Sequence, residues 1–234
     1  MTTVKWSEFL GTDYITGLKL TWAGDDALTI GTGAAYLPAA RPILVSTAIA
    51  LTGMTLANST EYHVYLYDSS GTPAAEYVTT APAAPYFGTA RTKTGDTSRR
   101  YIGSFFTDAT GDIRYFVHDP QSGQIKYARD AVTATPYRVA NELTATSATS
   151  VSCSGIIPAT ATNAYMRIRN SADQQLYIGD SALSTSVFHS AIIAVNGLVY
   201  ADIPVTSQAF YYLFGAAVGS GAFYGDVVGY TFER

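Results

Sequence analysis

The residues in this chain that could do chemistry are its histidines, one cysteine, a few adjacent carboxylates and some glycine-rich loops. The three histidines, His63, His118 and His189, lie far apart, each inside or at the end of a strand-like segment, and give no metal-ligand spacing. The lone cysteine, Cys153, sits in the alternating run Val151-Ser152-Cys153-Ser154, which reads as a small core residue, not a nucleophile. Asp25 and Asp26 are neighbours in a Gly24-Asp25-Asp26 turn and read as turn caps. A glycosidase needs two carboxylates facing each other across a sugar, and the other candidate acids, Asp68, Asp108, Asp112, Asp119 and Asp173, are scattered over turns. Gly31-Thr32-Gly33 opens like a dinucleotide fingerprint but lacks the third glycine and a following helical pattern. There is no Gly-x-Ser-x-Gly elbow, His-Glu-x-x-His, Cys-x-x-Cys or phosphate loop. The expectation is a non-enzymatic protein with no catalytic, cofactor-binding or metal-binding residues.

Binding needs less than catalysis. Tyr211, Tyr212, Phe223 and Tyr224 stand on the two sides of the glycine-rich stretch 215–221, where aromatic faces and phenolic hydroxyls could meet a glycan or a partner protein. The same four residues also suit the core or an interface of a Tyr-rich sandwich, the plainer of the two readings. Asn58-Ser59-Thr60 matches a glycosylation sequon, but so short a match carries no role.

The elements that would position these groups are strands. Hydrophobic residues make up 47% of the 234-residue chain and charged residues 14%, so it can bury a sizeable core, and surface-helix formers are scarce. Eighteen tyrosines and twenty glycines suit pleated strands and tight turns. A net charge of −4 gives no positive field to draw in nucleic acid. No apolar stretch is long enough for a membrane-spanning helix, and the first residues show no secretory leader pattern, so no membrane insertion is expected. So few surface charges suit a subunit that hides area against copies of itself.

Along the chain, Glu61-Tyr62-His63-Val64-Tyr65-Leu66-Tyr67 is a strand with aromatic or aliphatic residues on both faces, which places it centrally in a sheet or beneath a subunit contact. It closes at the turn Asp68-Ser69-Ser70-Gly71, and Thr79 to Lys93 reads as a long loop. Tyr101 to Phe106 and Ile113 to Val117 are expected to form a hairpin across Asp108 and Gly111. Val187 to Val195 and Leu198 to Ile203 are expected to do so across Asn196-Gly197. Lys5 to Leu10 is the one short helix candidate. Turns recur at roughly ten-residue spacing without a helical period, the mark of β-sandwiches. The expected fold is all-β: two sandwich-like domains built of antiparallel hairpins, residues 1–130 and 149–234, joined by a linker or connecting strand over 131–148.

The run Arg99-Arg100-Tyr101-Ile102-Gly103-Ser104-Phe105, continuing through Thr107-Asp108-Ala109-Thr110-Gly111-Asp112 to Ile113-Arg114-Tyr115-Phe116, resembles a segment of tail-fibre-like and other virion structural proteins of tailed bacteriophages. The upstream Tyr-rich strand, the Ala/Pro loop, and Gly17 to Trp22 followed by Leu28 to Tyr36 fit the same order, and Ile156-Ile157-Pro158-Ala159-Thr160-Ala161 resembles the start of an appended sandwich domain. This resemblance implies a virion appendage, made in the host cytoplasm and commonly a homotrimer. Its partners would be copies of itself, other virion proteins and a host-surface glycan. It carries over no catalytic residue. A capsid decoration or head-fibre protein, and a lectin or glycan-cleaving enzyme, are the alternatives.

Overall fold

The computed structural model describes residues 11–38, 41–119, 123–128, 137–184, 186 and 190–234. Every regular element among them is a strand, the registered strand pairs are antiparallel, and the chain adopts the expected all-β, sandwich-like architecture. The short helix suggested for Lys5 to Leu10 lies outside the described residues. Two compact units divide the chain: Met1–Pro120 with Glu233–Arg234, and Gln121–Phe232.

The first unit holds β1 (Ile15–Gly17), β2 (Leu20–Gly24), β3 (Ala27–Ile30), β4 (Gly33–Leu37), β5 (Arg41–Val45), β6 (Ile49–Leu51), β7 (Glu61–Ser69), β8 (Thr72–Val78), β9 (Thr92–Lys93), β10 (Asp96–Phe106) and β11 (Phe116–His118). Its sheets run β1-β4-β5, β2-β3-β6 and β8-β7-β10-β9. β7 lies between β8 and β10, which pair both its edges, and both its faces are covered as well: Tyr62, His63, Val64, Tyr65 and Leu66 are all buried. The β7–β8 hairpin turns at Ser70 and Gly71, both in the left-handed region (φ 53° and 91°), with the Gly71 N–H donating to Asp68 Oδ1 at 2.6 Å. Gly31-Thr32-Gly33 serves strand packing. Gly33 pairs with Gly17 across β1 and β4, and a Cβ on either would strike the carbonyl of Thr16 or Thr32.

One expected hairpin is shorter than its sequence suggests. Its turn forms, with Thr107 bridging Ile113 and the Asp108 carboxylate accepting from the N–H groups of Thr110 and Asp112 at 2.8 and 3.0 Å. The Arg114 N–H still donates to Phe106 O, but the return arm then leaves β10. β10 takes β7 and β9 as its neighbours, and the Leu20 N–H of β2 donates to His118 Nδ1 on β11.

The second unit holds β12 (Ile125–Tyr127), β13 (Arg138–Leu143), β14 (Thr149–Ser152), β15 (Ala161–Asn170), β16 (Leu176–Gly179), β17 (Ala191–Ile193), β18 (Leu198–Pro204), β19 (Ala209–Phe214) and β20 (Phe223–Phe232). One sheet runs β12-β20-β15-β18, with β13 also on β20; the other runs β14-β19-β16-β17. Strict alternation along β15 explains the sandwich. Ala164, Met166, Ile168 and Asn170 are fully buried, while Tyr165, Arg167 and Arg169 turn outward. Phe210, Tyr212 and Phe214 of β19 supply buried aromatic rings to the same core as Phe223 and Tyr230 of β20.

Asn196-Gly197 does not close a hairpin. Asn196 takes the expected left-handed conformation (φ 55°), but β17 pairs with β16 and β18 pairs with β15, so the turn carries the chain from one sheet to the other. The reason is a non-local anchor. Asn170, fully buried at the end of β15, donates from Nδ2 toward the carbonyls of Gln174, Ile193 and Ala194 at 2.8, 3.2 and 3.0 Å. Its own N–H donates to Gly197 O at 2.8 Å. The Ile193, Ala194 and Gly197 carbonyls, on the two arms beside the turn, thus accept from Asn170 at the end of β15.

Candidate functional site

A buried group of polar side chains lies in the first unit, where the register of β7 and β10 sets His63 opposite Ser104 and Glu61 opposite Phe106. His63 Nδ1 is 2.8 Å from Ser104 Oγ, which is 2.9 Å from the Tyr101 hydroxyl, and a Glu61 carboxyl oxygen stands 3.6 Å from the same imidazole nitrogen. Serine, histidine and glutamate together invite comparison with a nucleophilic triad, but the geometry differs. A triad uses both imidazole nitrogens, one toward the nucleophile and one toward the acid. Here Ser104 and Glu61 both approach Nδ1, and Ser104 is 2% exposed in the middle of a paired strand. Burial pushes the His63 pKa down to about 4 and the Glu61 carboxyl up to about 7, the latter opposed by a hydrogen bond from Ser104. Near neutral pH His63 is therefore uncharged, and His63, Ser104 and Tyr101 form a buried hydrogen-bonded network with the Glu61 carboxyl beside it.

Arg100 is also fully buried. Its guanidinium donates to the carbonyls of Arg91 and Asp13, both at 3.2 Å, and stands 5.8 Å from the Tyr86 ring centre. Cys153 is buried too, and desolvation pushes its thiol up to about 12. Among the described residues no cluster of three or more His, Cys, Asp or Glu could hold a metal ion. His189 lies outside the described residues.

The four aromatics flanking residues 215–221 divide into two pairs. Tyr212 and Phe223 face the core of the second unit with ring centres 5.2 Å apart, and the Tyr212 hydroxyl accepts the Ala145 N–H at 3.1 Å. Tyr224 turns outward on β20. Arg138 and Arg169 stand 5.5 and 5.9 Å from its ring centre, and its hydroxyl donates to Glu142 at 3.4 Å. Tyr211 turns outward on the other sheet.

Tyr211 lines a cleft of about 480 Å3 together with Gly179, Asp180, Ser190, Thr206 and Ser207. That volume falls in the roughly 300–1,000 Å3 range of small-ligand sites. Register explains why this ring has space beside it: Tyr211 pairs with Gly179 on β16 and Ser150 on β14, so its lateral neighbours are a hydrogen and a short side chain. Asp180 is exposed, and its Oδ1 accepts the Ala182 N–H at 2.8 Å, which fixes the carboxylate. The opposite lip is a two-residue turn closed by reciprocal hydrogen bonds between Thr206 and Ala209, with Ser207 and Gln208 both left-handed (φ 52° and 59°). Sequence reasoning singled out Tyr211 and missed the rest of this cleft. Gly179, Asp180 and the 206–208 turn carry no motif, and only pairing across strands brings them to one place. Comparison of the chain with protein-family models, with curated proteins and with solved structures returns no match.

Proposed function

We propose that this chain is a non-enzymatic structural subunit of a tailed-bacteriophage virion, a tail or fibre appendage that assembles symmetrically, as a homotrimer, and presents its surface to the host cell. The observation that carries the reading is an uncovered apolar margin in the second unit. β18 and β17 each end the strand order of their sheet, and on and between them Leu198 (54% exposed), Tyr200 (58%), Ile192 and Val195 face outward. Edge strands of solitary proteins are blunted with charge, so a greasy, tyrosine-bearing edge favours burial against another copy. The low charge content of the chain and its sequence resemblance to tail-fibre-like proteins support the same reading. Symmetric assembly would also multiply weak contacts with a host surface.

Light scattering on the purified full chain tests the assembly, with a particle of three times the 24.9 kDa chain mass expected. Tyr200→Glu and Leu198→Glu are expected to release monomers. A wild-type monomer at micromolar concentration would remove the basis for subunit packing. Mass spectrometry of purified phage particles encoded beside the gene tests the virion assignment, and the absence of the chain from them would overturn it.

A further inference from the structure

We propose that Asn196 is a site of spontaneous covalent modification, deamidation through attack by the Gly197 nitrogen, and that the anchor at Asn170 gates it. Asn58, Asn141, Asn163 and Asn170 precede Ser, Glu, Ala and Ser, and Asn196 alone precedes a glycine. Glycine matters because no side chain hinders its nitrogen from closing on the neighbouring carboxamide. In that step the deprotonated Gly197 nitrogen forms a bond to Asn196 Cγ, and the Cγ–Nδ2 bond breaks, Nδ2 taking up a proton and leaving as ammonia. Water then opens the resulting succinimide at either carbonyl, giving aspartate or a β-linked isoaspartate. Water is the sole co-reactant, and nothing is oxidised or reduced.

The fold leaves one partner of this reaction ready and holds the other. Asn196 is exposed and left-handed (φ 55°), and its carboxamide makes no hydrogen bond among the described residues. Asn170 is the contrast: its buried carboxamide donates toward three carbonyls and accepts the Ala172 N–H at 2.9 Å. The Gly197 N–H donates to Ala194 O at 3.0 Å, and the same carbonyl accepts from Asn170 Nδ2 at 3.0 Å. Packing there is close, since a Cβ on Gly197 would stand 2.8 Å from Ala194 O. Attack on Asn196 therefore needs the turn to open and release this N–H. One net hydrogen bond slows the reaction about tenfold relative to the unfolded chain. The β-linked product adds a main-chain carbon between the two residues, which shifts Gly197 O off the Asn170 N–H that it accepts from at 2.8 Å. Both products place a carboxylate between exposed Val195 and Leu198. Its effect on assembly is the one consequence that rests on the function proposed above.

The purified full chain is aged near neutral pH, folded and in guanidinium, and peptide mapping by mass spectrometry follows ammonia loss at each asparagine. Asn196 is expected to react first in both, and about tenfold more slowly in the folded chain. Hydrogen exchange at the Gly197 N–H should show the same slowing, since one opening serves both reactions. Asn170→Ala, its fold checked by melting temperature, should bring the rate at Asn196 toward that in guanidinium and leave the rate at Asn58, in the first unit, unchanged. Folded-state reaction at Asn196 no faster than at exposed Asn58 would overturn the modification site. A folded rate equal to the denatured one, or an Asn170→Ala rate equal to wild type, would overturn the gate. So would exchange of the Gly197 N–H that is slowed differently, a test that stands even where Asn170→Ala fails to fold. Light scattering on Asn196→Asp reads the effect on assembly, which should weaken about tenfold. A wild-type monomer sinks the subunit reading and leaves the modification site standing, whereas an Asn196→Asp chain that assembles like wild type sinks only the effect on assembly.

Discussion

Glu61→Gln tests the buried network of the first unit through its protons. His63 falls from 6.5 to about 4 on folding and Glu61 rises from 4.5 to about 7, each a displacement of about 2.5 units, worth about 3 kcal/mol. The signs oppose. A histidine with a lowered pKa stabilises the fold above the unfolded value of 6.5, and that contribution is lost as pH falls toward 4. A carboxyl with a raised pKa stabilises the fold below 4.5, and that contribution is lost as pH rises toward 7. Between pH 4.5 and 6.5 the unfolded pair carries one proton, on histidine, and the folded pair carries one proton, on glutamate. Proton uptake is then zero and stability is flat, whichever of the two buried groups holds the shared proton. Glutamine keeps the shape of the protonated acid and cannot ionise. The variant should therefore gain stability relative to wild type steadily from pH 4.5 to 7, by about 3 kcal/mol in all, and level off above. On its own it should lose a similar amount between pH 6.5 and 4. Trp22, on β2, belongs to the first unit, so urea titrations followed by its fluorescence report on that unit. A stability difference that stays within about 1 kcal/mol across pH 4.5 to 7 would refute the account of Glu61 as a protonated buried acid.

Three further outcomes follow from the second unit. Asn170→Ala removes the buried amide that donates toward the carbonyls of Gln174, Ile193 and Ala194 and should lower stability by about 2–4 kcal/mol in urea titrations, more than any single exposed contact would. Ser207→Gly relieves one left-handed non-glycine residue and should raise stability by about 0.5–1 kcal/mol, read as a higher melting temperature. Cys153, buried and with its thiol pushed up to about 12, should resist a maleimide at pH 8 in the native protein and react fully in denaturant.

What the sequence disclosed depends on how local the determining physics is. The two-faced apolar pattern of Tyr62 to Leu66 is a local signature, and β7 sits between two neighbours as it requires. The Asp108 turn is set by a carboxylate reaching N–H groups two and four residues on, and it forms. β8 was not legible: Thr72-Pro73-Ala74-Ala75-Glu76-Tyr77-Val78 has a proline and few strand formers, and becomes a strand because β7 offers a full register of partners. The Asn-Gly signal was half right for the same reason. Its backbone preference was satisfied at Asn196, while the destination of each arm was decided by Asn170, more than twenty residues away in sequence.

The aromatic pair at Tyr211 and Tyr212 shows why the candidate site was harder to read than the fold. Neighbours along a strand point to opposite faces, so one of two adjacent tyrosines must be core if the other is surface. Composition cannot say which; the inward set of the partner strands can. Ile178, fully buried on β16, pairs with Tyr212, so Tyr212 shares its inward face, and Gly179, one residue on, pairs with the outward Tyr211. A slip of one residue would exchange the two rings, placing Tyr212 at the cleft and Tyr211 against Phe223. The buried Tyr212–Phe223 contact and the Tyr212 hydroxyl's bond from Ala145 oppose that slip. The core of the second unit thus selects which tyrosine faces the cleft.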